Sequence, residues 1–205
     1  MKKNNFFWIS YADLMTSLFF IMLVLFVVTI GYLQFEKKAT EKQLEKISEL
    51  QTAVKQLPKK YFSYQPQYKR FKLNKQIHFN SGSTRINPEY YGYLNEVGHS
   101  IINLVDSLNA NEEYESFDIK YLIVIEGMSS IDKYSRNFEL SYERALSLYK
   151  FWKENDIVFN PEICEIQIAG SGTDGVREYT GIEERKNQQF LIHIVPKIGE
   201  ITEKE

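Results

Sequence analysis

The feature that most constrains this chain is a long apolar segment close to its N-terminus. From Leu14 to Phe35 the sequence contains no charged residue. A helix of about 20 apolar residues spans the roughly 30 Å hydrocarbon core of a bilayer. A cleaved signal peptide fits less well, because the segment is too long and no small-residue cleavage site follows it. Since a core helix of a small soluble domain is rarely apolar on all sides over such a length, we predict one transmembrane helix over residues 6–34.

A single carboxylate, Asp13, lies at the start of this segment. A charged side chain inside a membrane costs on the order of 2.5–3.5 kcal/mol on insertion scales, so such a residue indicates a function. On a helix, Ser10, Thr16 and Ser17 lie about one turn from Asp13 and form a polar stripe with it. Tyr11 is placed where interfacial aromatic residues occur. We predict that Asp13 carries an ion across the membrane and that these four residues support its path.

The composition argues against several other classes of function. The 205 residues carry a net charge of −2 without a basic face interleaved with aromatic residues, so direct binding of nucleic acid is not expected. Cys164 is the only cysteine, and the three histidines have no metal-ligand spacing. No Ser-His-Asp, Cys-His or paired-carboxylate arrangement stands out. We therefore expect neither an enzyme nor a protein that holds a metal or an organic cofactor.

The charges that flank the predicted span indicate its orientation only weakly. Two lysines precede it, and four follow it closely at positions 37, 38, 42 and 46. Counted literally, they favour a cytoplasmic C-terminal side. Because large domains translocate regardless of such charges, the orientation has to be inferred from other features.

The chain after the predicted span divides into a helical stalk, a linker and a folded domain. Residues 35–57 are rich in Glu, Lys and Gln, with a heptad pattern that fits either a short dimeric coiled coil or a solvated helical spacer. Pro58 ends this helix, and residues 58–70 are interpreted as a linker. The remaining assignments are an N-terminal end over 1–5, the domain over 71–197 and a tail over 198–205.

The domain alternates strand and helix patterns. Segments rich in β-formers and bounded by turn residues predict strands over 75–80, 117–126, 162–170 and 190–196. Apolar residues at helical spacing predict helices from Pro88 to Leu108 and from Asn137 to Trp152. The order β-α-β-α-β-β predicts a small α/β domain, with a sheet on one side and helices on the other.

Two further motifs are interpreted as loops. The segment from Gly170 to Gly175 matches G-x-G-x-x-G after a strand, but no amphipathic helix follows, so a nucleotide site is not supported. We interpret it as a flexible loop. The run Glu183-Glu184-Arg185-Lys186 is interpreted as a solvated charged turn.

Two parts of the sequence resemble known families. The segment FWISYADLMT, from Phe7 to Thr16, resembles B subunits of MotA/MotB-type ion-driven rotary motors, which carry A-D-[LF]-M-T around an ion-binding aspartate. It is most similar to the B subunits (ZorB) of Zorya anti-phage defence systems. Residues 123–127 (IVIEG) and the N-x-x-L-S-x-x-R-A run from Asn137 to Ala145 resemble OmpA-like peptidoglycan-binding domains. The resemblance implies a single transmembrane helix joined to an OmpA-like domain.

The resemblance also implies partners and a location. Two copies of the chain, a homodimer, would sit inside a ring of five larger multi-helix subunits of the MotA or ZorA type, with Asp13 translocating H+ or, alternatively, Na+. The protein would be a single-pass protein of the bacterial inner membrane, with a cytoplasmic N-terminus and a periplasmic domain bound to peptidoglycan. Ion flow would turn the A ring, and in a Zorya system this rotation would signal phage attack to cytoplasmic nuclease or helicase partners. A flagellar stator subunit, a passive wall tether and a TolR/ExbD-like energy transducer stay open as alternatives.

The OmpA-like motif departs from the family pattern at one functional position. In the family, the glycine is followed by x-T-D, and this aspartate works with the later arginine to hold the amino acid head of the peptidoglycan stem peptide. Here Gly127 is followed by Met-Ser-Ser, Arg144 is kept, and Gln188-Gln189 replaces an Arg-Arg pair. We expect Asp132 to supply the missing acid from a shifted loop. The implied peptidoglycan site consists of Ser130, Asp132, Asn137, Leu140 and Arg144.

Overall fold

The computed structural model describes residues 4–110, 119–132 and 134–198. The start of the predicted N-terminal end, the first residues of the strand predicted over 117–126 and nearly all of the tail predicted over 198–205 lie outside the described residues. The chain divides into two compact units, Met1–Lys46 and Ile47–Glu205, which are described separately.

The first unit is formed by the helix α1, which runs from Asn4 to Val54 and continues into the second unit. Within α1, the 31-residue stretch Trp8–Lys38 is long and apolar enough to cross a membrane, and its most apolar 18-residue window has a mean hydropathy of 2.6. It is the one such helix in the part of the chain that the structure describes. Its apolar side chains are exposed, with Phe20 at 59% and Phe26 at 64%. A surface of this kind is suited to contact with lipid or with other apolar helices.

The second unit begins within the last turns of α1. Leu50 is fully buried, and Val54 and Leu57 are 3% and 4% exposed in the same hydrophobic core. The stalk predicted over residues 35–57 therefore contributes its end to the folded domain. Heptad spacing could not indicate this role, because the burial is created by strands that follow in the chain.

The linker predicted over residues 58–70 is wrong. Strands β1 (Phe62–Gln65) and β2 (Arg70–Leu73) form an antiparallel hairpin at one edge of the sheet. Phe62 and Phe71 are 3% and 2% exposed, and their ring centroids lie 6.0 Å apart. The aromatic residues that suggested a linker thus supply core contacts.

The strand predicted over residues 75–80 is also wrong. This segment pairs with no strand among the described residues, although Ile77 is only 1% exposed. One buried side chain in an extended segment imitates the alternation of a strand without any ladder of hydrogen bonds. The first strand of the predicted order is therefore replaced by the hairpin that precedes it.

The other predicted elements are present with small shifts at their ends. They are α2 (Tyr91–Asn109), β3 (Ile119–Gly127), α3 (Asn137–Glu154), β4 (Cys164–Gly170) and β5 (Phe190–Ile198). The five-stranded sheet has the order β1-β2-β5-β3-β4, in which β3 and β4 are parallel and the other pairs are antiparallel. The predicted α/β class is confirmed.

The core lies between the sheet and the helices. Alternate residues of β3, namely Tyr121, Ile123 and Ile125, are fully buried, as expected when one face of a strand is covered. The helix α3 packs on β3 and β4. Its fully buried Trp152 donates the indole N–H to the main-chain oxygen of Leu94 in α2 at 2.8 Å. The bond satisfies the only polar atom of this side chain and joins the two helices.

Glycines allow the C-terminal ends of β3 and β4 to lie directly against α3. A Cβ atom at Gly127 would lie 2.1 Å from the main-chain oxygen of Ser141, and one at Gly170 would lie 2.5 Å from the main-chain nitrogen of Tyr142. Any larger residue would therefore separate strand and helix. The contact places the loop that follows β3 beside the first turns of α3.

We expect Gly127→Ala to destabilise the domain, because the added methyl group overlaps the main chain of α3 rather than a movable side-chain end. Overpacking costs about 1–3 kcal/mol, and the rigid neighbour favours the upper end. The control is Gly92→Ala in α2, where no atom lies within 4 Å of the new methyl group. Helix propensity predicts a gain of up to about 1 kcal/mol there. Thermal unfolding of the full chain in detergent compares the two, and similar midpoints would contradict the close contact.

Candidate functional site

The five residues predicted for the peptidoglycan site line one cavity of about 210 Å³. The loop after β3 supplies Ser130 and Asp132, and the first turns of α3 supply Asn137, Leu140 and Arg144. Residues from segment 78–82 and from the 3-10 helix Gly181–Asn187 complete the walls. The structure therefore brings together residues that are separated in sequence.

Arg144 is the most deeply buried charge of this cavity, with 2% exposure. Its Nε donates to the main-chain oxygen of Ser83 at 3.1 Å, and its guanidinium carbon lies 4.6 Å from the ring centroid of Phe79. Its buried Nη1 has no hydrogen-bond partner among the described residues. Burial lowers the pKa of Arg144, and the nearby charge of Asp132 opposes this effect. A buried N–H without a partner is costly, so this side chain is prepared to bind an anion.

Asp132 supplies the opposite charge. Its Oδ1 accepts hydrogen bonds from Asn137 Nδ2 at 2.8 Å and from the main-chain nitrogen of Tyr134 at 2.9 Å. The hydrogen bond from Asn137 has the largest effect on the pKa of Asp132, and together with those from Tyr134 and Ser130 and the charge of Arg144 it outweighs burial and lowers that pKa. An ionised carboxylate and a guanidinium therefore line the same cavity, an arrangement that can bind a zwitterion.

Asn137 and Ser130 hold the loop in this position. The Nδ2 of Asn137 also donates to the main-chain oxygen of Tyr134 at 2.9 Å, and its own main-chain oxygen accepts from Ser129 Oγ at 2.8 Å. The Oγ of Ser130 accepts from Gln188 Nε2 at 2.7 Å. Asn137 thus acts mainly by orienting the Asp132 carboxylate. Gln188 contacts the site loop, and it occupies one of the two positions at which the OmpA-like pattern has an arginine.

Sequence reasoning missed Glu184 as a residue of this site. The solvated turn predicted over residues 183–186 is wrong at this position, because the Glu184 side chain is only 17% exposed and lines the cavity. Its Oε1 accepts a hydrogen bond from the main-chain nitrogen of Ile131 at 2.8 Å, across 53 positions of sequence. No local pattern could have indicated a contact over this separation.

A second polar cluster crosses the sheet next to the site loop. Glu126 Oε2 of β3 lies 2.6 Å from His193 Nε2 of β5 and 3.9 Å from Arg70 Nη1 of β2, and Glu126 Oε1 accepts a hydrogen bond from Ser171. Burial opposes ionisation of Glu126, but the hydrogen bonds with His193 and Ser171 and the charges of His193 and Arg70 outweigh it and lower its pKa. The cluster joins three strands and the loop after β4.

The residues predicted for ion transport lie on α1 in the other unit. The hydroxyl of Thr16 donates to the main-chain oxygen of Ala12 at 2.6 Å, and that of Ser17 donates to the main-chain oxygen of Asp13 at 2.8 Å. Both hydroxyls are satisfied within the helix and keep free lone pairs one turn from the carboxylate. In the part of the chain that the structure describes, the Asp13 carboxylate has no ion pair.

Comparisons with known proteins find similar structures only. No protein-family model and no curated protein matches the sequence. The chain is similar to a putative MotB-like protein from Desulfovibrio vulgaris, with 14% identity, a TM-score of 0.46 and coverage of 80% of this chain and 96% of that one. It is also similar to the C-terminal domain of Helicobacter pylori MotB, with 16% identity, a TM-score of 0.41 and coverage of 62% and 88%. The chain is also similar to a longer periplasmic fragment of MotB, with 14% identity and a TM-score of 0.41, and it covers 64% of that fragment, just under two thirds.

The lowered pKa of Glu126 predicts that acid destabilises the domain. The unfolded state binds a proton more readily, so the contribution of Glu126 is complete above its ordinary pKa of 4.5 and is lost as the pH falls through the lower folded pKa. We expect Glu126→Gln to be less stable at neutral pH and to lose less stability than the parent as the pH falls to about 3. The exposed Glu162→Gln is the control. Denaturant unfolding of the full chain at each pH measures the free energy of unfolding. An equal dependence of this free energy on pH in Glu126→Gln and the parent would refute the prediction.

Proposed function

We propose that this chain is the B subunit of a peptidoglycan-anchored rotary motor driven by an ion gradient across the bacterial inner membrane. Its apolar helix would cross that membrane with a cytoplasmic N-terminus, and its second unit would bind the wall in the periplasm. The observation that carries the proposal is that a buried, partly unpartnered Arg144 and an exposed, ionised Asp132 line one cavity. Such a site suits the free amino acid head of a peptidoglycan stem peptide.

The chemistry of recognition follows from the two charges. The carboxylate of a diamino acid would pair with the guanidinium of Arg144, whose planar donors match a carboxylate in geometry. The ammonium group of the same amino acid would be placed against Asp132. Pairing both charges at once compensates for the water that each of them loses, which a ligand with only one charge cannot do. The site therefore favours a zwitterion over a simple anion.

Ion transport would depend on Asp13 and its stripe of hydroxyls. Alternation between a site closed by other helices and a site open to water would let the carboxylate load and unload a proton, and each crossing would release about 2.3 kcal/mol per 100 mV. Those other helices would come from five A-type subunits of the MotA or ZorA kind, arranged around a homodimer of this chain. Protons are the proposed ion, and sodium is the alternative, since hydroxyl oxygens next to a carboxylate also suit that cation.

The motor proposed here serves anti-phage defence of the Zorya type. The support is the segment FWISYADLMT, which is most similar to Zorya B subunits. A flagellar stator subunit is the second candidate, supported by the shorter A-D-L-M-T core of the same segment. Deletion separates the two, because the defence motor predicts loss of phage protection with normal swimming and the stator predicts the reverse. A passive wall tether would need neither Asp13 nor an A-type partner.

For wall binding, we expect Arg144→Gln and Asp132→Asn each to weaken binding of a diaminopimelate-containing muropeptide at least about tenfold. A hydrogen bond to a charged group contributes about 1.5–3 kcal/mol, which corresponds to this factor or more. The control is Arg136→Gln, an exposed arginine that pairs with Glu139 at 3.6 Å outside the cavity. Titration calorimetry with the full chain in detergent measures the affinities. Unchanged affinity in both site variants would exclude this cavity as the wall site.

For ion transport, we expect Asp13→Asn to abolish ion-driven function while leaving membrane insertion and wall binding intact. The amide keeps the shape of the side chain but cannot release a proton. The control is Thr29→Ala on the same helix, where the hydroxyl only bonds to the main-chain oxygen of Leu25. Proton flux into vesicles that contain the A-type partner, together with phage protection in cells, measures the effect. Retained function in a correctly assembled Asp13→Asn motor would leave the passive tether as the better account.

A further inference from the structure

The loop that carries Ser130 and Asp132 is held by distant parts of the chain as well as by the local bonds from Asn137 and Tyr134 to Asp132. The main-chain nitrogen of Ser129 donates to the oxygen of Gly172 at 3.0 Å, and that of Met128 donates to the oxygen of Gln189 at 3.1 Å. Further along the loop, the main-chain nitrogen of Ile131 donates to the side chain of Glu184. The local bonds orient the Asp132 carboxylate within the loop, and the distant contacts set the position of the loop itself.

Arg177 connects the segments that hold this loop. Its Nη1 donates to the main-chain oxygen of Ser129 at 2.5 Å, and its Nε donates to the main-chain oxygen of Thr173 at 2.9 Å. The same Nη1 lies 3.5 Å from Glu184 Oε1, and the two side chains are 16% and 17% exposed. One guanidinium thus bonds to the start of the site loop, to the loop after β4 and to the carboxylate that binds Ile131.

The geometry of these bonds requires an arginine. A guanidinium presents several N–H donors in a fixed plane, and here separate donors reach two main-chain oxygens in different directions. A lysine could keep the charge beside Glu184 but could not make both bonds in this arrangement. The low exposure of the Arg177 and Glu184 side chains limits the access of water to these contacts.

We propose that Arg177 is a positioning residue for the zwitterion site, and that with Glu184 it fixes the loop in which Asp132 faces the ligand's ammonium group. The inference rests on the proposed function of the cavity and adds the origin of its ammonium selectivity. Arg144 is held separately, through Ser83 and Phe79. Loss of Arg177 should therefore affect recognition of the ammonium group and spare recognition of the carboxylate.

The test compares two ligands in the full chain in detergent. One is a muropeptide with diaminopimelate, and the other is its analogue with 2-aminopimelate, in which hydrogen replaces the free amino group and the carboxylate is kept. We expect the parent protein to bind the diaminopimelate muropeptide about tenfold more tightly than the analogue, because a hydrogen bond to a charged group contributes about this much affinity. We expect Asp132→Asn to have a small ratio between the affinities for the two ligands. In Arg177→Gln and Arg177→Lys the ratio should fall to the same small value, while the affinity for the analogue changes less than about twofold. The exposed Lys186→Gln, on the same 3-10 helix as Glu184, should keep the parent ratio.

Further variants keep the proposal open to refutation if Arg177→Gln folds poorly. Glu184→Gln can still accept the bond from Ile131 but loses the charge that holds Arg177, so it should give an intermediate ratio in a folded protein. Combining Arg177→Lys with Asp132→Asn should lower the ratio no further than Asp132→Asn alone. An equal loss of affinity for both ligands in the Arg177 variants, or an unchanged ratio of the two affinities, would overturn the positioning role. If the parent binds neither peptide, or if Asp132→Asn and Arg144→Gln bind as the parent does, the wall-binding function itself fails.

Discussion

The contact on which the candidate site depends is the approach of β3 and β4 to α3 at two glycines. With Gly127 and Gly170, the strand ends touch the main chain of the helix, and the loops that leave them emerge beside its first turns. The loops are then bonded to each other and to the helix: Ser171 N donates to Gly127 O at 3.0 Å, and Gly172 N donates to Ser141 Oγ at 2.9 Å. Arg144 lies one turn further along this helix. A wider spacing would separate its guanidinium from the loop that carries Asp132, so the presence of both charges in one cavity is a consequence of this backbone contact.

Elements with a strong periodic pattern could be predicted from the sequence, and short elements could not. The helices α2 and α3 and the strands β3, β4 and β5 have apolar patterns of helical or strand character, and they form close to the predicted positions. The hairpin β1–β2 consists of two four-residue strands rich in polar and aromatic residues, and four residues carry too little pattern to separate a strand from a linker. Its place in the sheet comes from pairing with β5, more than 100 positions away.

The candidate site shows the same division. A motif on one helix identifies Asn137, Leu140 and Arg144 together, because their spacing along α3 puts them on adjacent turns. The loop contacts are of a different kind. The segment from Gly170 to Gly175, which we interpreted as flexible, is held by hydrogen bonds to Gly127, Ser129 and Ser141. Glu184, which we interpreted as solvated, accepts a hydrogen bond from the main-chain nitrogen of Ile131. Such contacts depend on the finished fold and leave no local trace in a single sequence.

The buried Arg144 links binding to stability. A guanidinium N–H without a partner lowers the stability of the empty domain, since removing the group from water is compensated only in part by Ser83 and Phe79. A ligand carboxylate that completes the set of bonds would recover this free energy on binding. The same ligand would bind the folded state alone, because Asp132 and Arg144 come together only through the contacts of β3, β4 and α3, and it would therefore stabilise the domain by mass action. Under the proposed function, in which the domain attaches a motor to the cell wall, this coupling would make the domain most resistant to unfolding when it is bound to the wall.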